Sequence, residues 1–151
     1  MRIEEVIKQT KPFKSPAHKT LINLMYTSAW ISGLQSEAIK PYHLTIQQYN
    51  VLRILMGMQG KPATIKIIAE RMVDKMSNAS RLVDKLLEKN FLSRKESQSD
   101  RRKVEIFITE KGREVISLAT QDLDQVILDK IGALDDEKLN LISDALDEMR
   151  C

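Results

Sequence analysis

The sequence is short of several residue types, and each shortage excludes a class of protein. Cys151 is the single cysteine in 151 residues, which excludes an internal disulfide and a zinc site built from cysteines. Five glycines and four prolines are too few for a collagen-like or linker-rich chain. Aromatic residues make up only 5% of the sequence, which argues against an all-β fold and favours helices.

Long apolar runs are also missing. No run approaches the roughly 20 residues that a membrane-spanning helix needs, and the first residues, MRIEEVIKQTK, lack the apolar stretch of a signal peptide. We therefore expect a soluble, cytoplasmic protein. With 42% hydrophobic and 30% charged residues, the chain has the composition of one folded domain.

The charge is unevenly distributed, although the net charge is only +3. Residues 71–103 hold ten Lys or Arg against five Asp or Glu, whereas residues 110–151 hold five against eleven. A basic middle therefore precedes an acidic end. Such charge runs are most often solvated helix faces, so they indicate a nucleic-acid partner only if a binding motif lies beside them.

Apolar residues spaced three and four apart predict a series of helices, each preceded by a residue that can cap it. Ser15, followed by proline at the first helical position, opens a helix that runs to about Lys40. Thr45 caps a second helix that ends at Gly57 or Gly60, and Thr64 caps a third, short helix. Residues 1 to 14 are consistent with a short helix or a docking arm.

A fourth helix is predicted at about 76–89, with Met76 on its buried face and Asn90 ending it in the left-handed conformation. The apolar period then changes from 3.6 to 2. Residues 91–96 and 103–108 therefore predict two strands joined by the polar turn SQSDRR. Two further amphipathic helices follow this hairpin, and Thr109 caps the first of them.

A short helix, a tight turn, a second helix with small polar and basic residues near its start, and a charged hairpin describe a winged helix-turn-helix. An α-helix fits the major groove of DNA, and short side chains let its backbone come close to the base edges. Helix amino termini also favour phosphate, because they direct unpaired N–H groups outwards. The candidate DNA-binding residues of this motif are Thr64, Ser77, Asn78, Ser80, Arg81 and Lys85.

The hairpin tip supplies three more candidates, Asp100, Arg101 and Arg102. An exposed acid would repel a phosphate backbone unless it orients a neighbouring arginine, so we interpret Asp100 as an arginine holder. An arginine held in this way could enter the narrow minor groove, where the potential is most negative. The alternative is a solvated turn with an ordinary surface ion pair.

These residues resemble the MarR-type winged-helix transcriptional regulators over roughly Leu44 to Gly112. The resemblance rests on SRLVDKL in the fourth helix, a D-x-R wing (Asp100, Arg102) and a T-x-x-G that begins at Thr109. It implies that the fourth helix is the recognition helix and that Arg102 is the minor-groove arginine. It also implies that the first, fifth and sixth helices form a dimer. Members of the family are typically homodimers on pseudo-palindromic operators, and many are released by small aromatic or anionic ligands.

The chain departs from the family pattern in three places. Asn90 stands where the family usually has Gly. Lys75 stands where it often has a capping Ser, so Asp74 or Ser77 is expected to cap the recognition helix. The reactive cysteine that peroxide-sensing members carry near the first helix is missing, which argues against sensing of that kind.

Other kinds of site find little support. His18 and His43 lack metal-binding spacing, and no catalytic or phosphate-loop motif indicates an enzyme, so neither a metal nor a cofactor is expected. A ligand cavity between the helical part and the DNA-binding part is a candidate, with Arg53 pairing an anionic effector; ordinary core packing is the alternative. The candidate ligand-binding residues are Tyr26, Trp30, His43, Tyr49 and Arg53.

The last two helices carry apolar rows that so small a domain cannot bury, which predicts pairing with a second copy around a two-fold axis. The predicted fold is thus mainly α with a small β-hairpin wing. A winged helix-turn-helix spans 41–108, and a helical dimerisation region spans 1–40 and 109–151. We expect a ligand-responsive repressor that binds a pseudo-palindromic operator as a homodimer. The alternative is a winged-helix adaptor that binds protein through the same surface, for which Asp84, Glu88 and Glu96 leave room.

Overall fold

The computed structural model describes residues 1–97 and 104–151, which form seven α-helices and one antiparallel hairpin. The helices are α1 (Ile3–Val6), α2 (Pro16–Ile39), α3 (Ile46–Met56), α4 (Ile65–Arg71), α5 (Ala79–Glu88), α6 (Glu110–Lys130) and α7 (Asp136–Glu148). The strands between α5 and α6 are β1 (Leu92–Glu96) and β2 (Val104–Ile108), and a single 3₁₀ turn (Lys40–Tyr42) joins α2 to α3. This order of elements confirms the predicted mainly α fold with one small hairpin.

Hydroxyl side chains fix the first turns of four helices, as the sequence predicts. Ser15, Thr45, Thr64 and Thr109 each accept a hydrogen bond from the backbone N–H three residues further on, at 3.0 to 3.3 Å. Thr45 also donates its own N–H to the side-chain oxygen of Gln48, which completes a capping box. Each cap satisfies an N–H group that the helix leaves without an internal partner.

The apolar core lies around α3, which packs against α2, α4, α5, α6 and β2. Val51, Leu52 and Leu55 of α3 are fully buried, and they meet Ile68 of α4 and Leu86 of α5 in one cluster. The hairpin closes this cluster from one side. The core therefore fixes α4, α5 and the hairpin relative to one another.

The hairpin is tied to the segment that precedes α4. Its strands pair with Leu92 opposite Ile108 and with Glu96 opposite Val104. Ile106 of β2 also exchanges two backbone hydrogen bonds with Ala63, at 2.8 and 3.0 Å. Because Ala63 lies just before α4, the wing and the helix-turn-helix share a direct backbone connection.

The start of α6 fits closely against the end of α5. Asn90 ends α5 at φ +60°, which confirms its predicted left-handed conformation, and the Thr109 hydroxyl donates to its carbonyl oxygen at 2.8 Å. Gly112 lies so close to Phe91 that a Cβ atom would fall well inside van der Waals contact of the Phe91 carbonyl oxygen. The T-x-x-G pattern is therefore a cap combined with a close backbone approach.

The helices at the two ends of the chain leave large apolar side chains exposed. α2 and α6 pack on each other, and all residues of α7 are at least partly exposed. The exposed large apolar residues of these helices are Leu21, Met25, Tyr26 and Trp30 on α2, Leu118, Ile127 and Leu128 on α6, and Leu141 and Ile142 on α7. Within the described part of the chain, no helix combines the length and the apolar character needed to cross a membrane.

The predicted start of the fourth helix is wrong. α5 begins at Ala79, and the Met76 side chain is 93% exposed rather than buried. The cap is Asn78, whose side-chain oxygen accepts a first-turn N–H at 3.0 Å; it is neither Asp74 nor Ser77. The reason is that the Asp74 carboxylate binds the N–H of Met76 and the hydroxyl of Ser77, which keeps these residues in a turn.

Candidate nucleic-acid interface

Side chains from inside and outside the segment hold the turn between α4 and α5. The backbone N–H of Val73 donates to Oδ1 of Asn50 on α3 at 2.9 Å. Asp74 accepts hydrogen bonds from the N–H of Met76 and the hydroxyl of Ser77, both at 3.0 Å. These two bonds hold the pKa of Asp74 below its usual range. The turn is therefore a fixed connection between the two helices.

α5 has one apolar and one polar face. Ala79, Val83 and Leu86 are buried against the core. The exposed face carries Ser80, Arg81, Asp84, Lys85 and Glu88. Two of these residues are basic and two are acidic, so the face has no net charge and offers mainly hydrogen-bonding groups.

Three of the predicted DNA-binding residues use a side-chain oxygen within the chain. The oxygens of Thr64 and Asn78 cap α4 and α5, and the Ser77 hydroxyl donates to the carboxylate of the turn. Asn78 keeps its amide NH₂ as a donor, because only its oxygen takes part in the cap. Ser80 and Arg81, in the first turn of α5, are exposed.

Lys85 differs from these residues because it faces an acid on its own helix. Its Nζ atom lies 2.8 Å from one carboxylate oxygen of Glu88 and 3.1 Å from the other. Both side chains are more than half exposed, so a solvent-screened pair of this kind is easily exchanged for another partner.

The residues predicted at the wing tip, Asp100, Arg101 and Arg102, lie outside the described residues. The stem of the wing is described, and β1 exposes Arg94 and Lys95 there. Lys95 lies 5.6 Å from the centre of the Phe107 ring on β2. The sequence prediction did not include these two cations. Their signal was present, because both lie within the basic stretch 71–103.

The sequence prediction also missed the apolar side chains of the turn. Val73 is 86% exposed and Met76 is 93% exposed, although both are large and apolar. A helical reading of residues 76–89 places Met76 on the buried face, so the pattern alone hides its exposure. The sequence signal for a turn here is Asp74 itself, since an Asp side chain can bind backbone groups a few residues further on.

A cavity of about 280 Å³ lies between α3 and α6. It is lined by Arg53 and Met56 of α3 and by Ile116, Ser117 and Thr120 of α6. Of the five predicted ligand-binding residues, Arg53 lines this cavity, whereas Tyr26, Trp30, His43 and Tyr49 are not among its lining residues. The backbone of His43 has a local role, since its carbonyl oxygen accepts a hydrogen bond from the Lys89 ammonium at 2.6 Å.

Two tyrosines connect the central part of the chain to α6. The Tyr42 hydroxyl donates to the Asp122 carboxylate at 2.6 Å, and this hydrogen bond raises the pKa of Tyr42. The Tyr49 hydroxyl lies 3.1 Å from that of Thr120, which lines the cavity. Across residues 1–97 and 104–151, no group of three or more His, Cys, Asp or Glu side chains is arranged to hold a metal ion.

Parts of the sequence are similar to known transcriptional regulators. The sequence profile of the MarR family matches residues 44–104. The HTH-type transcriptional regulator Hpr of Geobacillus thermodenitrificans is 40% identical over 78 residues, which cover 52% of this chain but only 38% of Hpr. The HTH-type transcriptional regulator SarZ of Staphylococcus epidermidis is 28% identical over 127 residues, which cover 83% of this chain and 84% of SarZ.

A solved structure extends the likeness beyond the matched segment. The organohalide-sensing transcriptional regulator RdhR-CbdbA1625, in its 2,4-dichlorophenol-bound form, has a TM-score of 0.82 at 18% identity. The superposition covers 94% of this chain and 86% of that protein, so the end helices share its fold as well. The profile match itself runs from just before α3 to the first residue of β2. Residues 44–104 are therefore similar to the MarR family, and the chain as a whole shares the fold of this solved regulator.

Proposed function

We propose that the chain is a sequence-specific transcriptional regulator that binds double-stranded DNA. The observation that carries this proposal is α5, whose apolar face is buried on α3 and α4 while its polar face is exposed. In a helix-turn-helix, the N-terminal residues of the second helix meet the base edges in the major groove. Ser80 and Arg81 occupy that position, and Arg81 is long enough to reach a guanine edge or a phosphate.

The wing is proposed to bind the flanking minor groove. Asp100 orients Arg102, which enters the groove, and Arg101 contacts the backbone. The exposed cations Arg94 and Lys95 on the stem support this role, because each can neutralise a DNA phosphate.

The chain is proposed to act as a homodimer through residues 1–40 and 109–151, with the winged helix-turn-helix at 41–108. The support is the apolar surface of α2, α6 and α7, which a single chain leaves exposed to water. A two-fold dimer places its two α5 helices on half-sites about one helical turn, roughly 10 base pairs, apart. The operator is then pseudo-palindromic.

The protein is proposed to repress transcription when it is bound to its operator. A small aromatic or anionic effector is proposed to release it. The cavity between α3 and α6 is the candidate site, because it is roughly the size of a small ligand and Arg53 gives it a guanidinium. A second guanidinium is close, since Nη1 of Arg113 lies 3.9 Å from the sulfur of Met56 at the cavity wall. RdhR-CbdbA1625 offers a parallel, as it binds 2,4-dichlorophenol.

A winged-helix adaptor that binds protein through the same surface is the second candidate. The exposed acids Asp84 and Glu88 of α5 favour it, because carboxylates on the recognition face would repel phosphate. Glu96, which is exposed at the end of β1, is an acid on the stem of the wing.

Selection of bound duplexes from a random pool tests the proposed function. A regulator of the proposed kind selects a palindromic sequence, and its log affinity falls with log salt by about 0.9 for each phosphate that it neutralises. An adaptor selects no sequence, and its weak binding to DNA shows no preference between the pool and any single duplex. The palindrome spacing also reports the separation of the two α5 helices.

A further inference from the structure

The turn before α5 holds an apolar side chain in water. Among the described residues, Met1 is the one large apolar side chain more exposed than Met76, and Val73 of the same turn follows it. A thioether chain exposed at a chain end is unremarkable, but Met76 lies inside a folded motif. Its neighbours in sequence, Lys75 and Ser77, are charged and polar.

The backbone at this position is fixed although the side chain is free of the core. The N–H of Met76 donates to Asp74, the N–H of Ser77 donates to the Asp74 carbonyl oxygen at 3.2 Å, and Asn50 holds Val73 from α3. The side chain is therefore presented from a rigid support, which lowers the entropy cost of ordering it in a complex.

The position of Met76 limits what the side chain can meet. It lies two residues before the α5 cap, at the end of the helix that comes nearest to the base edges in a helix-turn-helix. The edges of all four base pairs in the major groove present donors and acceptors, and the one apolar group among them is the C5-methyl group of thymine. Methionine suits such a contact, because its flexible and polarisable chain adapts to a small apolar partner.

We propose that Met76 is a specificity-determining residue that recognises thymine by packing its side chain on the C5-methyl group in the major groove. This inference rests on the proposed function, because it requires α5 to enter that groove. It adds an apolar reading to the hydrogen bonds that Ser80 and Arg81 offer. It also explains why the Met76 side chain is exposed, because a side chain buried in the core could not reach DNA.

The test uses the duplex that the wild-type protein selects from a random pool. Each thymine in a half-site is replaced in turn by deoxyuracil, which removes only the methyl group and keeps every base-pair hydrogen bond. At one thymine we expect the wild-type affinity to fall by about fourfold, the effect of one buried methyl-sized group. Met76→Ala should bind the thymine duplex more weakly and be insensitive to deoxyuracil at that position.

Two further variants separate apolar packing from a general disturbance. Met76→Leu keeps an apolar side chain of similar volume and should keep the sensitivity to the methyl group. Met76→Gln has a similar length but a polar end and should lose it. Because the side chain touches no core residue, all three variants should unfold at the wild-type temperature.

The outcomes distinguish this inference from the function on which it rests. A wild-type protein that selects a palindrome but tolerates deoxyuracil at every thymine overturns the role of Met76 and leaves the regulator intact. Equal methyl sensitivity in wild type and Met76→Ala does the same. A wild-type protein that selects no duplex overturns both.

Discussion

Asn78 decides where α5 begins, because its side-chain oxygen accepts the N–H of Arg81 at 3.0 Å. Asn78→Ala removes this cap and should lower the free energy of unfolding by about 1 kcal/mol. The melting temperature should fall by about 2–4 °C, which thermal unfolding followed by circular dichroism can measure. Asn78→Ser restores a capping oxygen and should stay close to wild type. Equal stability of the Ala and Ser variants would contradict the role of the cap.

Asp74 makes the stability of the turn depend on pH. Its hydrogen bonds to Met76 and Ser77 lower its pKa in the folded chain. The stabilisation is therefore complete above the pKa of the unfolded chain and is lost as the pH falls through the lower folded value. Below about pH 4, the unfolding free energy of the wild type should fall more steeply than that of Asp74→Asn.

Asp84→Asn is the matched control, because it removes an exposed carboxylate that lies on α5 outside the turn. Urea unfolding at a series of acidic pH values should give Asp84→Asn the slope of the wild type. If the Asp74→Asn and wild-type slopes coincide, the carboxylate does not hold the turn.

Arg81 separates base recognition from phosphate binding. If it reads guanine, Arg81→Ala should relax the preference at one base pair by about 1–3 kcal/mol while other positions keep theirs. Competition binding to single-base variants of the selected duplex measures this effect. Arg150→Ala is the control, because Arg150 is an exposed arginine that follows α7 and pairs with Asp147 of that helix. It should leave the affinities for all duplexes unchanged. A uniform loss across sequences in Arg81→Ala would assign its side chain to a phosphate.

Two glycines in helices differ in how much space a side chain would have. Gly112→Ala places a methyl group against the Phe91 carbonyl oxygen and 3.0 Å from the Ile108 side chain. Because backbone cannot yield as a side-chain end does, this change should cost about 1–3 kcal/mol of stability. Gly33→Ala, in α2, meets no atom within 4 Å and should stabilise the chain by about 0.5–1 kcal/mol. Urea unfolding of both variants gives the comparison, and the same sign of change in both would contradict it.

The sequence predicts an element well where its signal is local. Hydroxyls at Thr64 and Thr109 lie next to the helices that they cap, and the change of period marks the hairpin to within one residue at Leu92. The prediction that α5 begins at about Met76 was wrong for a physical reason. Two capping systems overlap there, Asp74 for the turn and Asn78 for the helix, and the spacing of apolar residues does not rank their hydrogen bonds.

The candidate sites were predictable only in part for a related reason. Ser80 and Arg81 follow from the exposed side of one helix, which periodicity gives directly. The cavity depends on how α3 packs on α6, two elements more than 50 residues apart in sequence. Arg53 was singled out because its guanidinium can pair an anion. Ser117 and Thr120 were missed, because no local pattern in the sequence shows that α6 packs against α3 at these residues.

At the scale of the whole molecule, the exposed apolar surface of α7 predicts association. The double variant Leu141→Glu with Ile142→Glu places two charges on this surface, and burying them against a second copy would be costly. Sedimentation should then give the 17.3 kDa mass of one chain instead of twice that mass. Asn140→Glu adds a charge at an exposed polar position of the same helix and should keep the dimer. A dimer in the double variant would place the interface elsewhere.

The two backbone hydrogen bonds between Ala63 and Ile106 also bear on how any signal could reach the DNA. They join β2 to the segment just before α4, so the hairpin and the helix-turn-helix of one chain are held together as one unit. If the proposed dimer binds the proposed effector, the effector would therefore change the separation of two such units and not the shape of either one. The protein would then leave its operator because the distance between its two α5 helices no longer matches the distance between the half-sites, while the fold of each chain stays the same.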